Sequence, residues 1–309
     1  MRDTATADKP TSKLAKGFAG LFLVLILAGL AARFWLIDKA NEFTGPMHVT
    51  AGDGQVYLNV SGAIARLSAK GDLLEVKPLR EAGLPVDPID LRLLESGELL
   101  VAGQQPASIH ICETDNWVCR PLGGPPIGRI QRQFKVLPAQ EQGRWLLTDA
   151  RGDTLWQLDE SATELVEMLP AKTLAGANGL TFDAEGNLWV ADTDKQRIVE
   201  LLPTAEGVFE TGREHSGVNE LTIGERHFPM LIETGPDKRL WVAQAAEFSE
   251  AHSDLVIYDP IDGAAEVVSL PTNAYATDLA ISGKDVLLTD LERFTVYAVD
   301  GATREVREF

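Results

Sequence analysis

The chain contains 309 residues, of which 45% are hydrophobic and 24% are charged, a balance that allows one large domain or two ordinary domains with buried cores. Its formal net charge of −18 at pH 7 argues against DNA or RNA as partners, because an acidic surface repels phosphate backbones.

The first predicted element is a membrane-spanning helix. Residues 17–37 (GFAGLFLVLILAGLAARFWLI) are apolar except for Arg33, and at about 1.5 Å per residue they span about 32 Å, close to the hydrocarbon thickness of a bilayer. Lys9, Lys13 and Lys16 precede this segment. The positive-inside rule therefore places the N-terminus in the cytoplasm and everything after the segment outside it.

This topology predicts a cytoplasmic N-terminus over 1–16, a transmembrane signal anchor over 17–37, a linker over 38–46 and a folded body over 47–309. The protein is then a single-pass protein of the inner (cytoplasmic) membrane whose body lies in the periplasm or the extracellular space. A cleaved signal peptide, with a small-residue site near 29–31, is the alternative. Both interpretations export the body.

The body contains a repeat. A short apolar run recurs six times, with starts separated by 43, 46, 43, 52 and 46 residues. The runs are VYLNV (56–60), LLVAG (99–103), WLLTD (145–149), LWVAD (188–192), LWVAQ (240–244) and VLLTD (286–290). A polar turn and an earlier β-like stretch precede each run, and further β-like stretches follow it.

Four strands in each repeat of 40–50 residues are typical of a propeller blade, so the sequence predicts an all-β, six-bladed β-propeller with four-stranded blades, preceded by the transmembrane helix. The second strand of each blade is buried on both sides by stacked neighbours, which explains a continuous apolar run instead of alternation. Trp189 and Trp241 hold the same position in two repeats and are expected between blades. Each blade is expected to be complete in itself, without strand exchange at ring closure.

The two cysteines, Cys112 and Cys119, flank the polar turn 113–116. Across a hairpin their thiols can face each other, and an exported protein favours a disulfide. Two unpaired thiols remain the alternative, because sequence does not show the required geometry.

The segment 178–201 (NGLTFDAEGNLWVADTDKQRIVEL) resembles an NHL repeat, with a Gly-led strand, a turn containing Gly-Asn and a hydrophobic strand ending in Ala-Asp. It is also similar to the gluconolactonase (regucalcin)-like and strictosidine-synthase-like six-bladed propellers. The resemblance covers the fourth repeat well, the fifth and sixth in part, and the first three only in their hydrophobic outline.

In such propellers, the first strands line a central channel and binding loops gather on the face where these strands begin. The resemblance therefore places Asp90, Asn178 and Asp278 near the channel mouth. The residues that end the second strands are expected on the same face, either as ligands or as caps of backbone N–H groups. They are Asp149, Asp192 and Asp290.

Two long connections, 204–228 and 244–254, are expected to reach the same face and to form an acidic, solvated rim. Imidazoles and carboxylates of this kind are also able to bind a divalent metal, but no ligand spacing supports a metal here. The candidate residues in these connections are His215, His227, His252 and Glu247.

Two functions follow from these residues. The first is a binding or scaffold module for a protein, a peptide or a carbohydrate, as the resemblance to NHL propellers implies. The second is a metal-dependent lactonase or esterase, in which Asn178 and Asp278 hold Ca²⁺ or Zn²⁺. The lactonase resemblance lacks the Glu-Gly-Pro motif, since Thr44 stands where the family has glutamate.

Overall fold

The computed structural model describes residues 47–60, 62–85, 88–104, 107–122, 130, 134–159, 165–216, 227–246, 253–271 and 274–309. The predicted anchor and its flanking segments, 1–46, lie outside these residues. In the part of the chain that is described, no helix is long and apolar enough to cross a membrane.

The first three blades are built from consecutive strands. Blade 1 contains β1 (His48–Gly52), β2 (Gln55–Val60), β3 (Ala63–Ser68) and β4 (Leu73–Pro78). Blade 2 contains β5 (Pro88–Leu93), β6 (Leu99–Gln104), β7 (Ala107–Cys112) and β8 (Cys119–Pro121). Blade 3 contains β9 (Val136–Pro138), β10 (Arg144–Asp149), β11 (Thr154–Asp159) and β12 (Leu165–Glu167).

The last three blades follow the same plan. Blade 4 contains β13 (Ala177–Phe182), β14 (Leu188–Asp192), a 3₁₀ turn (Thr193–Lys195), β15 (Arg197–Pro203) and β16 (Phe209–Ser216). Blade 5 contains β17 (His227–Thr234), β18 (Leu240–Ala246), β19 (Ser253–Tyr258) and β20 (Ala265–Val268). Blade 6 contains β21 (Ala276–Ser282), β22 (Asp285–Asp290), β23 (Thr295–Asp300) and β24 (Val306–Glu308).

Every sheet pairs four consecutive strands antiparallel, so the predicted six-bladed propeller with four-stranded blades is confirmed. Within the described residues, no strand is exchanged between the first and last sheets, because β21–β24 form blade 6 by themselves. The ring closes instead through an apolar cluster shared by blades 1 and 6, in which Val49 and Val56 pack with Ala280 and Leu287. The two segments interpreted from the sequence as long connections, 204–228 and 244–254, are shorter as connections in the structure, since 209–216 form β16, 227–228 belong to β17, and the two ends of 244–254 belong to β18 and β19.

The second strands carry the contacts between blades. One position recurs in five of these strands, three residues before the end of the sequence run, and its side chain is at most 2% exposed in each strand. The residues at this position are Leu100, Leu146, Trp189, Trp241 and Leu287. Each belongs to the cluster that its blade shares with the next blade. Burial of one such side chain contributes about 1.5–3 kcal/mol, so this repeated position is a main source of the ring's stability.

The two tryptophans of this set have additional contacts that the repeat alone does not predict. The Trp189 indole N–H donates to Asp183 Oδ2 at 2.9 Å, and the Arg213 guanidinium lies 5.4 Å from the ring centroid. The Arg304 guanidinium, in the hairpin between β23 and β24 of blade 6, lies 5.0 Å from the centroid of the Trp241 ring of blade 5. These cation–π contacts attach an outer strand and a hairpin to the core.

Candidate functional site

The channel mouth is formed where the first strands begin. Four of these strands, β5, β13, β17 and β21, shift register in their first few residues. The residues at the shifts include Ile89, Asn178, Met230 and Thr277, and all four line one cavity. Bulges of this kind re-aim side chains at functional edges of sheets. The bulges therefore explain why one residue from each of these blades reaches the mouth.

The mouth cavity has a volume of about 340 Å³. Its walls are mostly apolar and aromatic, with Met47, Ile89, Phe134, Met230, Tyr275 and Leu291 among them. The polar residues that line it are His48, Lys135, Asn178 and Thr277. An apolar cavity with a few convergent polar groups is the usual form of a ligand site.

Lys135 joins three blades at the floor of this cavity. Its Nζ donates to Asp90 Oδ1 at 3.0 Å and to Asp278 Oδ1 at 2.8 Å. The other carboxylate oxygens accept backbone N–H groups, Val136 N at 2.8 Å from Asp90 Oδ2 and Val49 N at 3.1 Å from Asp278 Oδ2. All four carboxylate oxygens thus have partners within the protein.

The opposite charges of Lys135 and the two aspartates stabilise one another. Burial alone would lower the pKa of Lys135, but the charges of Asp278 and Asp90 outweigh it and hold that pKa above its ordinary value. Burial alone would raise the pKa of Asp278, yet the Lys135 charge and the neighbouring His48 lower it to about 2. His48 Nδ1 lies 3.5 Å from Asp278 Oδ2, at the outer limit of a hydrogen bond. At neutral pH, Lys135 is therefore a charged ammonium and Asp278 a carboxylate.

A second ion pair crosses the channel farther from the mouth. Arg92 Nη2 donates to Glu233 Oε1 at 3.0 Å, and Arg92 Nε donates to the Val136 carbonyl at 3.0 Å. Burial raises the pKa of Glu233, although the Arg92 charge opposes this. A smaller cavity of about 150 Å³ lies beside this pair and beside Asp90 and Asp278. The channel is thus crossed by two layers of internal ion pairs.

The predicted metal ligands do not come together as a metal site. The described residues contain no group of three or more His, Cys, Asp or Glu side chains that could hold a metal ion. The Asn178 amide donates to Thr193 Oγ1 at 2.7 Å and to the Gly176 carbonyl at 3.2 Å, whereas Asp278 holds Lys135. The ammonium lies where a cation bound to Asp90 and Asp278 would lie, so these residues do not fit Ca²⁺ or Zn²⁺.

The three aspartates at the ends of second strands hold backbone N–H groups. Asp149 and Asp290 accept N–H groups of the hairpins that follow them. Asp192 Oδ1 accepts the Ala175 N–H at 2.6 Å, and its Oδ2 accepts from Arg197 Nε at 2.7 Å. Their contacts are those expected of structural caps.

The two described histidines of the long connections, His215 and His227, lie apart from the residues that line the cavity. His215 is half-buried on β16, the outermost strand of blade 4, where its ring stacks on Trp189 at 5.4 Å. His227 is fully buried, with Nδ1 3.2 Å from Asp254 Oδ2. Two further candidates lie outside the described residues, His252 and Glu247.

The candidate disulfide lies away from the mouth, in the hairpin between β7 and β8. Cys112 and Cys119 are bonded to each other and are also opposite partners in the strand pairing. The bridge closes a turn on the outer part of blade 2 and has a structural role.

Sequence reasoning missed four charged or polar residues of the channel, Lys135, Arg92, Glu233 and His48. A signal was available, since each lies next to an apolar residue near or within a predicted first strand, as in QFKVL (133–137) and LRLL (91–94). A charged residue in such a strand faces the channel, because the blade faces are packed against neighbours. Which charges meet across the channel depends on the ring and not on any local pattern.

Solved structures with the same architecture include enzymes and a binding complex. A catalytically inactive variant of virginiamycin B lyase from Staphylococcus aureus, crystallised with quinupristin, has a TM-score of 0.60 at 17% identity, over 87% of this chain and 85% of that one. The periplasmic gluconolactonase of Pseudomonas aeruginosa has a TM-score of 0.55 at 14% identity, over 85% and 84%. A chain of a nidogen/laminin complex has a TM-score of 0.62 at 15% identity, over 86% and 91%.

At these identities the likeness shows the shared six-bladed fold alone. No protein-family model matches the chain, and no curated protein matches it. The resemblance to gluconolactonase-like and NHL-type propellers is therefore confirmed as a likeness of fold.

Proposed function

We propose that this chain is a binding module that holds a ligand or partner at the mouth of its six-bladed propeller. The observation that carries the proposal is the cavity of about 340 Å³, whose walls are mostly apolar and whose floor is closed by Lys135 between Asp90 and Asp278. A site of this form binds by burying apolar surface and orients its ligand with a few polar groups. The nidogen/laminin complex among the similar structures supports a binding role for this fold.

The arrangement at the floor favours binding over metal-assisted hydrolysis. A metal that activates water or polarises a carbonyl needs carboxylates with free oxygens, and an ammonium already uses those of Asp90 and Asp278. Displacing Lys135 would leave its buried charge without a partner, which costs several kcal/mol. The chain's own residues therefore stabilise the floor without a metal ion.

A photo-crosslinking experiment tests this proposal. A photoreactive amino acid is placed at Met230, in the cavity wall, or at Val118, an exposed position in the turn between β7 and β8 on the opposite face. Irradiation of the full chain in its native membrane, followed by intact-mass analysis, is expected to give a discrete adduct at Met230 and none at Val118. Filling the cavity with Ile89→Trp should remove the adduct. Equal adducts at both positions, or none at either, would refute a binding function at the mouth.

The membrane attachment is a separate part of the proposal. We infer that residues 17–37 anchor the protein in the cytoplasmic membrane and that the propeller lies outside the cytoplasm, because the apolar length and the preceding lysines fit that topology. The full chain should then stay in the membrane after an alkaline carbonate wash, and external protease should degrade the propeller in spheroplasts. Release of a product lacking the first 30 residues or so would instead indicate a cleaved signal peptide.

The second candidate function is a lactonase or esterase. It is favoured by the gluconolactonases among the similar structures and by the position of Asn178 in the cavity wall. The test is to measure bound metal and lactone hydrolysis in the purified full chain, with Asn178→Ala as the comparison. Stoichiometric metal and an activity that Asn178→Ala abolishes would establish this function in place of the first.

A further inference from the structure

The size of the mouth cavity indicates how large a group it can bury. A cavity of about 150 Å³ lined by apolar side chains is large enough to bind benzene, and the mouth cavity of about 340 Å³ has roughly twice that volume. A group with two fused rings, or a branched aliphatic group of similar size, fits this space. A carbohydrate fits it less well, because in the described part of the chain the walls are mostly apolar, with Met47, Phe134, Met230 and Leu291 among them, and many of its hydroxyl groups would face these side chains.

The floor of the cavity selects the polar part of the occupant. Lys135 and His48 line the cavity, whereas Asp90 and Asp278 do not and are only 1% and 5% exposed. A ligand at the floor therefore contacts an ammonium whose charge is neutralised by two carboxylates on the side away from the cavity. Among the described residues, the two carboxylates take two of the three ammonium N–H donors. One donor is left for an acceptor that enters from the cavity.

Charged ligands fit this floor less well than neutral ones. A cationic group would lie against the Lys135 ammonium, and the carboxylate oxygens that could attract it already have partners. An anionic group would be attracted by Lys135, but the two carboxylates directly behind Lys135 would repel it and cancel much of that attraction. It would also pay the cost of leaving water for an apolar cavity. A neutral acceptor, such as a carbonyl oxygen, accepts the remaining N–H without either cost.

We propose that the mouth cavity binds a neutral, largely apolar small molecule of about two-ring size that carries a hydrogen-bond acceptor, directed at Lys135. This inference rests on the proposed binding function and names the ligand class of the same cavity. It selects a small apolar molecule in place of a carbohydrate, an anion or a cation.

Four naphthalene derivatives of nearly equal size test the ligand class. They are 2-acetylnaphthalene, which is neutral with a carbonyl acceptor, naphthalene without an acceptor, 2-naphthoate as the anion, and 2-naphthylmethylammonium as the cation. Binding to the purified full chain is measured by displacement of prodan, a neutral naphthyl ketone whose emission shifts to shorter wavelength in apolar sites. The ketone should bind about tenfold more tightly than naphthalene, as one hydrogen bond predicts, and more tightly than either charged compound.

Two variants locate the binding. Met230→Trp, which fills the cavity, should abolish prodan binding, whereas Val118→Trp adds the same side chain on the opposite face and should leave binding unchanged. Circular dichroism and a thermal melt show that each variant is folded, and Ile89→Trp replaces Met230→Trp if that variant is not.

The outcomes separate the two proposals. Tighter binding of the anion or the cation, lost in Met230→Trp, would overturn the ligand class and leave the binding function intact. Equal binding of the ketone and naphthalene at the cavity would overturn the role of Lys135 as donor. Absence of cavity-dependent binding by every probe would overturn the ligand class, while the crosslinking result at Met230 would still decide the binding function.

Discussion

Replacing Lys135 with methionine removes the one positive charge between two buried carboxylates. The facing oxygens of Asp90 and Asp278 are at most about 6 Å apart, because Lys135 Nζ lies 3.0 Å from one and 2.8 Å from the other. Two like charges at that distance repel by about 3 kcal/mol at an effective dielectric constant of about 20. Breaking a buried pair by removal of one partner typically costs about 3–5 kcal/mol, so we expect Lys135→Met to lower the free energy of unfolding by that amount at pH 7.

The destabilisation should depend on pH with a definite sign. In the native protein the pKa of Asp278 is about 2, below the ordinary aspartate value of about 3.9, so its stabilising contribution is present above about pH 4 and is lost as the pH falls towards 2. In Lys135→Met, burial and the neighbouring Asp90 are expected to raise the pKa of Asp278 above the unfolded value. The variant should therefore gain stability as the pH falls from 7 to 4.5. The difference in the free energy of unfolding between the native protein and the variant should become smaller over the same range.

Urea unfolding of the full chain in detergent, followed by tryptophan fluorescence at pH 7 and pH 4.5, measures both effects. Lys284→Met is the matched control, because Lys284 pairs with Asp300 in a turn and its side chain is 77% exposed. Solvent screens such a pair, so no resolvable change is expected for the control. The double variant Lys135→Met/Asp278→Asn should recover part of the loss. A Lys135→Met variant within 1 kcal/mol of the native protein, or a gap that does not change with pH, would refute this description of the floor.

Three further predictions concern other parts of the molecule. Cys112→Ser should lower the free energy of unfolding by about 2.5 kcal/mol under oxidising conditions, the chain-entropy value for a loop of this length, and equal stability with dithiothreitol present would show that the effect belongs to the bridge. Gly179→Ala should lower the free energy of unfolding by about 1–3 kcal/mol, because a Cβ there would lie 2.7 Å from the Ile232 backbone nitrogen. Gly83→Ala is the comparison, because a Cβ at that position meets open space and the substitution tests only the effect of the positive φ. Dialysis against EDTA should leave the melting temperature unchanged, and a fall that Ca²⁺ or Zn²⁺ reverses would contradict the metal-free floor.

The candidate site shows where local reasoning ends. The sequence placed Asp90 and Asp278 near the starts of first strands, and the structure joins both to one ammonium. It did not indicate Lys135, which is 45 residues from Asp90 and 143 residues from Asp278. The three residues lie in or beside the first strands of blades 2, 3 and 6, and ring closure alone brings these blades around a common axis. The register shifts that direct Ile89 and Met230 into the cavity also depend on pairing with the second strands.

The repeat of apolar second strands by itself determined the number of blades, the order of strands and the positions of Trp189 and Trp241 between blades. It could do so because a strand buried on both faces needs a continuous apolar run, and this requirement is visible within a few residues of the chain. Only the tertiary structure decided which charges neutralise one another in the channel and what kind of cavity stands above them. Ion pairs between residues far apart in sequence depend on distances of a few ångströms across the ring, and no local pattern encodes those distances.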